Sequence, residues 1–353
     1  MSIVADRYRF VVGVDTHARE HQFALIETSS GRIVAEASFS TSVAGLRRAA
    51  SWIGRGTGGD LDSVLVSAEG TGSYGAGLAR LLAGHGYRVV DAPSPRRERG
   101  ASKNDRIDAV KAAQTLLARD TEGLADIRTG QSIETLQILL AARNRITNES
   151  TRTINALIAL LRTHDLGFDA RRKPTIAHIR QIAHWRTPSA ARTTSEVAKA
   201  EAVLLARRVL DLGRQRRDND TQLRRVVTQE RPELFEQVGI GPFNAAIILT
   251  AWSHPGRVRS EAAFAALAGT SPIQIASGNR DENRLNRGGD RQLNRALHSI
   301  AMTRMRSDQP TRDYVARRRA EGLSDRRIRR VLKRYIARST YRLLESTEPP
   351  IAA

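Results

Sequence analysis

The sequence predicts an α/β domain at the amino terminus followed by a mostly helical remainder. Three observations carry this. Up to about residue 125, apolar runs of strand length alternate with segments of helical period. Beyond that point helix formers with frequent arginine take over, and strand signals nearly vanish. Four carboxylates, Asp15, Glu69, Asp105 and Asp108, fall at the ends of two predicted strands and on one face of one predicted helix.

The elements follow in order. Phe10 to Val14 is an unbroken apolar run and His21 to Glu27 a second; Ser29-Ser30-Gly31 separates it from Arg32 to Phe39, so three short strands joined by tight turns are expected. Thr41 to Ile53 reads as a helix. A buried strand, Ser63 to Ser67, ends at Ala68-Glu69, and glycine-rich residues lead into a helix from Tyr74 to Ala83. A strand from Tyr87 to Val90 stops at Asp91-Ala92-Pro93. The helix carrying Asp105 and Asp108 has an apolar stripe of Ile107, Val110, Ala113, Leu116 and Leu117. Three strands, helix, strand, helix, strand, helix is the order of a ribonuclease-H-like domain, bounded here at 1–125 with its end near Gly123. Sheets of that kind gather their sites at the carboxyl ends of strands, where Asp15 and Glu69 fall.

A helical middle region is expected over 126–228. Leu136, Leu139, Leu140, Ile146, Ile154, Leu157, Ile158 and Leu161 keep a helical period, and a second long segment runs from Ser195 to about Arg225. Two long antiparallel, coiled-coil-like helices fit, separated by a polar, proline-broken stretch from His164 to Pro188; the region reads as a spacer or oligomerisation element, or as a plain helical bundle.

The carboxyl-terminal region, 229–345, precedes a short tail at 346–353. Leu234 to Ala246 fits a helix-hairpin-helix, with Gly239-Ile240-Gly241 as the turn and Pro242 opening the second helix. Glycines at 239 and 241 let backbone approach a phosphate, which the following helix amides can bind; a structural αα-hairpin is the plainer reading. Ser260 to Ala268 reads as a helix, Gly269 to Asn279 as a loop or short strand pair, and Arg291 to Met305 as a helix. Tyr314 to Leu344 is an arginine-rich segment with Tyr314, Tyr335 and Tyr341 interleaved, suited to a phosphate backbone.

Composition names the class of partner. Fifty-seven Lys and Arg against 37 Asp and Glu give a formal charge of +20, the balance of a protein that holds a polyanion. Nucleic acid is the expected partner. No cysteine is present, which excludes disulfides and thiolate zinc sites. The first residues, MSIVADRYRF, lack a signal-peptide apolar region, and no apolar run approaches the roughly 18 residues of a membrane span. A cytoplasmic, nucleoid-associated protein without membrane contact is expected.

Hard divalent cations take oxygen ligands, and two of them a few ångströms apart stabilise the attacking and leaving oxygens of an in-line displacement at phosphorus. Asp15, Glu69, Asp105 and Asp108 together fit a pair of Mg2+ or Mn2+ ions. Any one of them alone reads equally as a turn residue or cap. Asn104 suits the cap of the Asp105 helix, and Lys103 suits a phosphate or the tempering of the acidic cluster. His17 is open between proton carrier, extra ligand and polar residue at the site's mouth, and Tyr74 between base stacking and packing. Ser277, in an Ala-Ser-Gly turn with Arg280, Arg284 and Arg287 nearby, suits either a nucleophile backed by cations or an ordinary loop hydroxyl.

These motifs resemble those of a known family, the DEDD transposases of bacterial insertion sequences, whose members include bridge-RNA-guided recombinases. The likeness rests on VGVDTH around Asp15, AEGTGSYG around Glu69, KNDRIDA around Asp105 and Asp108, then GIGPFNAAIILTAW, the run Phe264 to Gly269, Pro272, and SGNRDENRLNRGGDRQLNRAL. It spans residues from about 10 to 305. The resemblance implies a RuvC-like, Holliday-junction-resolvase fold whose DEDD acids hold divalent metal, and a serine that becomes covalently joined to a DNA end, here Ser277. It also implies DNA as donor and target, a noncoding guide RNA, and a homo-oligomer, dimer or tetramer, in which metal site and serine of different subunits form one centre. Three positions depart from the pattern. Asn104 stands for a threonine, Ala276 for a second serine, and Asn294 for an arginine; the last leaves open which arginines support the phosphate, and Arg287 and Arg291 are offered for it. The alternatives are a structure-selective, metal-dependent nuclease with Ser277 as a bystander, and a nucleic-acid scaffold with vestigial acids.

Overall fold

The computed structural model describes residues 2–92, 105–169, 171–188, 192–277, 280–286 and 288–346, with backbone alone at 105–107, 273–277 and 280–285. It divides into two compact units. The first comprises residues 1–130 together with 253–260, and the second comprises 131–252 and 261–353.

The first unit opens with one helical turn, α1 (Val4–Arg7), and the hairpin-linked strands β1 (Phe10–Thr16), β2 (Glu20–Glu27) and β3 (Ile33–Ser40). Helix α2 (Val43–Thr57) follows, then β4 (Val64–Ala68), α3 (Ala76–Gly84), β5 (Arg88–Asp91) and α4 (Asp105–Leu117). The sheet order is β3-β2-β1-β4-β5, with the first three strands antiparallel and β4 and β5 parallel to β1. This mixed five-stranded sheet is ribonuclease-H-like, as expected. Alternation along β1 sends Phe10, Val12 and Val14 into one core with α2 and α3, and Val11 into another with Ala113 and Leu116 of α4. Ser42 caps α2 by accepting from the Gly45 amide, and Gly58 closes it with a left-handed φ of 71°.

Residues 253–260 belong to this unit although they lie far beyond it in the chain. Ser253 exchanges hydrogen bonds with the Thr129 backbone, and Arg257 donates to the Asp126 carbonyl at 2.9 Å. No local pattern announces that return.

The second unit is mostly helical. Helices α5 (Gln131–Thr163) and α7 (Thr194–Glu230) pack together over most of their length. Ser132 meets Glu230, Leu139 meets Asn219 and Glu149 meets Arg208, so the two run antiparallel. Buried Asn219 donates to the Leu139 carbonyl at 3.0 Å, and Arg143 pairs with Asp220 at 2.7 Å. These polar contacts fix the relative register, because a one-turn slip would strand them. The stretch expected to be only polar and irregular contains α6 (Ile176–Ala183), whose Ile179 and Ile182 are buried against Leu157, Leu161, Ala202 and Ala206.

A 3-10 turn over Pro232–Glu236 precedes α8 (Pro242–Trp252) and α9 (Glu261–Leu267). The hairpin β6 (Pro272–Ser277) and β7 (Arg280–Leu285) leads to α10 (Arg291–Ser307), α11 (Gln309–Ala320) and α12 (Asp325–Ser346). The basic segment expected as one stretch is therefore two helices, broken at Gly322, whose φ of 84° suits a residue without a Cβ. Among the described residues no helix is long and apolar enough to cross a membrane.

Candidate functional site

Asp15 and Glu69 are neighbours by topology. Val14 pairs with Ala68 across the parallel strands, and the Glu69 amide donates to the Val14 carbonyl at 3.1 Å, so both acids stand at adjacent carboxyl ends. By alternation Asp15 shares the face of Val11 and Gly13, and Glu69 follows Leu65 and Ser67 on the same face. That face is covered by α4.

The helix lies against the strands because Gly13 has no side chain. A Cβ there would stand 2.0 Å from the Ala109 carbonyl oxygen and 2.8 Å from the Ala113 nitrogen. Ser67 adds a direct tie, its hydroxyl donating to the Ala112 carbonyl at 2.9 Å. Leu116 and Ala113 sit near Val11, and Ala109 near Gly13, so α4 runs antiparallel to β1 and its first turn lies toward the end holding Asp15. That first turn begins at Asp105 and includes Asp108, which is half-buried; the Asp105 side chain lies outside the described residues.

The loop after Glu69 is pinned from below. The Thr16 hydroxyl donates to the Glu69 carbonyl at 2.9 Å, and Gly75 packs where a Cβ would lie 2.8 Å from that carbonyl and 2.9 Å from the Thr16 methyl. Beyond it, Thr71 donates to Asp91, the last residue of β5. Tyr74 is exposed on this loop. Thr16, Gly13 and Ser67 were not singled out from the sequence as positioning residues; a glycine inside an apolar strand is the one signal that pointed to a close backbone approach.

Asp15 is buried, and its carboxylate lies 3.6 Å from His17 Nδ1. The His17 amide in turn donates to Nδ1 of His21 at 3.2 Å. His21 is buried, and desolvation, with a smaller push from His17, holds its imidazole below the ordinary histidine value. A neutral ring with Nδ1 as acceptor is what the His17 amide requires.

The donor set Asp15, Glu69 and Asp108 is all carboxylate oxygen, which suits a hard divalent cation. Among the described residues, no three acidic or histidine side chains converge as a ready metal-binding group. Lys103 lies outside the described residues altogether, as does Asn104.

In the second unit, Ser277 is the last residue of β6 and pairs in register with Arg280, the first of β7. The two residues between them, 278 and 279, lie outside the described residues, as do the side chains of Ser277, Arg280 and Arg284 and all of Arg287. Arg291 is exposed at the start of α10, which Asp290 caps by accepting from the amides of Gln292 and Leu293.

The Gly239-Ile240-Gly241 turn is bound to α10. Gly239 has a φ of 84°, and a Cβ on it would stand 3.2 Å from the Ile300 carbonyl oxygen. Arg304 donates to the Val238 carbonyl at 2.8 Å. The limb before the turn is the 3-10 stretch Pro232–Glu236, not an α-helix, because Pro232 and the tight Arg231 link leave only five residues for it. Helix α8 starts at Pro242, and a cleft of about 440 Å³ beside its first turn is lined by Gly241, Phe243, Asn244, Asp220, Thr221 and Arg224.

Comparison with known proteins identifies the family. The DEDD transposase family, described as Transposase, matches residues 12–165, and the Transposase IS116/IS110/IS902 family matches residues 233–316. A protein described as "Insertion element IS116 uncharacterized 44.8 kDa protein", from Streptomyces clavuligerus, is 27% identical over 301 residues, covering 70% of this chain and 73% of that one. Two family matches in the expected order, on a ribonuclease-H-like sheet with its acids at the strand ends, lead to one conclusion: the chain belongs to the IS116/IS110/IS902 family of DEDD transposases and is an enzyme that acts on DNA.

Proposed function

We propose that the transposase cuts and rejoins DNA through a divalent metal site and a covalent serine intermediate. The observation that carries this is the meeting of Asp15 and Glu69 at adjacent strand ends on the face covered by the first turn of α4, which bears Asp105 and Asp108. Those four carboxylates would hold Mg2+ or Mn2+, two ions to a site. Bound there, the ions supply charge stabilisation at the attacking and leaving oxygens of the phosphodiester.

The chain's own residues do the remainder. Ser277 attacks phosphorus through Oγ; one phosphorus–oxygen bond to the sugar breaks as the serine–phosphorus bond forms, and the hydroxyl proton passes to the departing sugar oxygen. One ester replaces another, so a hydroxyl on a second strand can reverse the step without outside energy. Arg280, Arg284, Arg287 and Arg291, all on or beside the hairpin and the start of α10, neutralise the phosphate. Lys103 and the turn glycines Gly239 and Gly241 contact backbone, a reading supported for Gly241 by the cleft beside the first turn of α8, which Arg224 of α7 also lines.

In this reading, residues 1–125 are the RuvC-like catalytic segment, 126–228 the coiled-coil-like spacer and oligomerisation segment, and 229–345 the serine-bearing transposase segment with its helix-hairpin-helix. The chain works as a homo-oligomer, dimer or tetramer, and a bridge RNA selects the target by base pairing. A denaturing gel of labelled DNA tests the chemistry. The wild-type chain with Mg2+ should give a covalent protein–DNA band that Ser277→Ala lacks. Cutting that persists undiminished in Ser277→Ala, with no such band in the wild type, identifies a hydrolytic nuclease instead.

A further inference from the structure

The second unit holds a cationic cleft of about 480 Å³ between α12, the Leu323 turn and the stretch Gly269–Pro272. Arg327, Arg330, Lys333 and Arg334 line it from α12. The opposite side of that helix is the buried apolar stripe Ile328, Leu332, Ile336, Ala337 and Leu344, which fixes the cations on the outward side. Two other lining arginines are neutralised, Arg318 by Glu321 and Arg338 by Glu261. Arg327, Arg330 and Arg334 have no acidic partner among the described residues. Spaced i, i+3 and i+7, they repel one another along the helix. Burial, and then the Arg330 charge, pulls the Lys333 ammonium below its ordinary value.

An arrangement that concentrates positive charge against its own stability is relieved by an anion with several charges in a row. Tyr335, 56% exposed, lines the same cleft, with its ring held edge-to-face against Tyr314. Cations tracking a backbone beside an exposed aromatic ring make the pattern that grips an unpaired strand. The wall opposite runs straight into β6, so the cleft stands no more than about 17 Å along that strand from Ser277, taking about 3.3 Å per residue.

We propose that this cleft is a binding site for single-stranded DNA, with Arg327, Arg330 and Arg334 on successive phosphates and Tyr335 stacked on a base, holding the strand that the β6–β7 hairpin works on. The choice of DNA rests on the reading of Ser277 above. Binding is therefore measured apart from chemistry, in full-length Ser277→Ala chain with EDTA present, by fluorescence anisotropy of a labelled 20-nucleotide single strand across a salt series.

Replacing Arg327, Arg330 and Arg334 together by glutamine should weaken single-stranded DNA at least tenfold. The slope of log affinity against log salt should fall by about 2, since each phosphate contact on a single strand contributes about 0.7. Tyr335→Ala should weaken the single strand several-fold and spare a duplex of the same sequence. The comparison variant replaces Arg47, Arg48 and Arg55, exposed on α2, and removes the same charge. Circular dichroism checks that each variant is folded. The proposal is overturned if the cleft variant binds single-stranded DNA as wild type, if the α2 variant loses as much, or if only an RNA of the same sequence is weakened. Failure of the serine chemistry would leave these affinities unmoved.

Discussion

Gly13 of β1 and Ala109 of α4 are in backbone contact: a Cβ on the glycine would fall 2.0 Å from the alanine carbonyl. This contact sets how closely the helix bearing Asp108 approaches the strand bearing Asp15. It is flanked by the Val11 and Ala113 packing and reinforced by the Ser67–Ala112 hydrogen bond. Gly13→Ala is expected to push α4 off the sheet and to destabilise the chain by about 3 kcal/mol, the upper range for overpacking a close-packed interior. Urea unfolding measures the loss. Ser67→Ala, which removes one hydrogen bond but adds no bulk, should cost about 1 kcal/mol.

The contrast shows what was legible in the chain. The strand ends at Asp15 and Glu69 and the helix that carries Asp108 could be read because strand ends and helical period are local patterns. Gly13 carried a readable signal, a glycine within an apolar strand, whose partner 96 positions away in Ala109 was not local at all. The return of residues 253–260 to the first unit is likewise invisible, since its ties to Asp126 and Thr129 depend on tertiary packing. Helix α6 was hidden for the opposite reason. Its eight residues are too short to declare a period, and Ile179 and Ile182 become helical face only against Leu157 and Ala202.

If the acids act as proposed, Asp15→Asn, Glu69→Gln and Asp108→Asn should each lower metal-dependent cutting by at least about 100-fold, the order of loss when one electrostatic group leaves a reacting centre. Glu27→Gln, at the far end of β2 from the site, should cut normally. The readout is the cleavage rate at saturating Mg2+, with thermal unfolding run beside it. A loss shared by Glu27→Gln would mean that the acids serve the fold and not the chemistry.

The link between α9 and α12 should be pH-sensitive. Glu261 accepts from Arg338 and, at 2.6 Å, from Arg342, which together lower its carboxyl from 4.5 to about 2. The sign follows from which state takes up the proton. Below pH 4.5 the unfolded chain protonates Glu261 while the folded chain does not, so this contribution is whole above that value and is lost as pH falls toward about 2. Urea midpoints of wild type and Glu261→Gln should therefore differ most near neutral pH and converge in acid. A difference that stays constant with pH would show that the two arginines do not hold the carboxylate.

Asn294 occupies a position where the family resemblance leads one to expect arginine, and its contacts explain how asparagine serves there. Its amide donates to the Ala268 carbonyl at 2.7 Å, and its oxygen accepts from Lys333 Nζ at 2.9 Å. One side chain thus closes the loop after α9 and orients a cation of the α12 cleft. An arginine has no acceptor for the ammonium and would bring a second positive charge to Lys333, whose proton affinity is already lowered. Asn294→Ala should destabilise the chain by about 1–2 kcal/mol, because both partners lose a hydrogen bond. Asn294→Arg should do so by more, and its deficit should shrink as salt is raised, since screening weakens the new repulsion. Unfolding in low and high salt separates the two: a deficit for Asn294→Arg that salt leaves unchanged would point to crowding rather than charge.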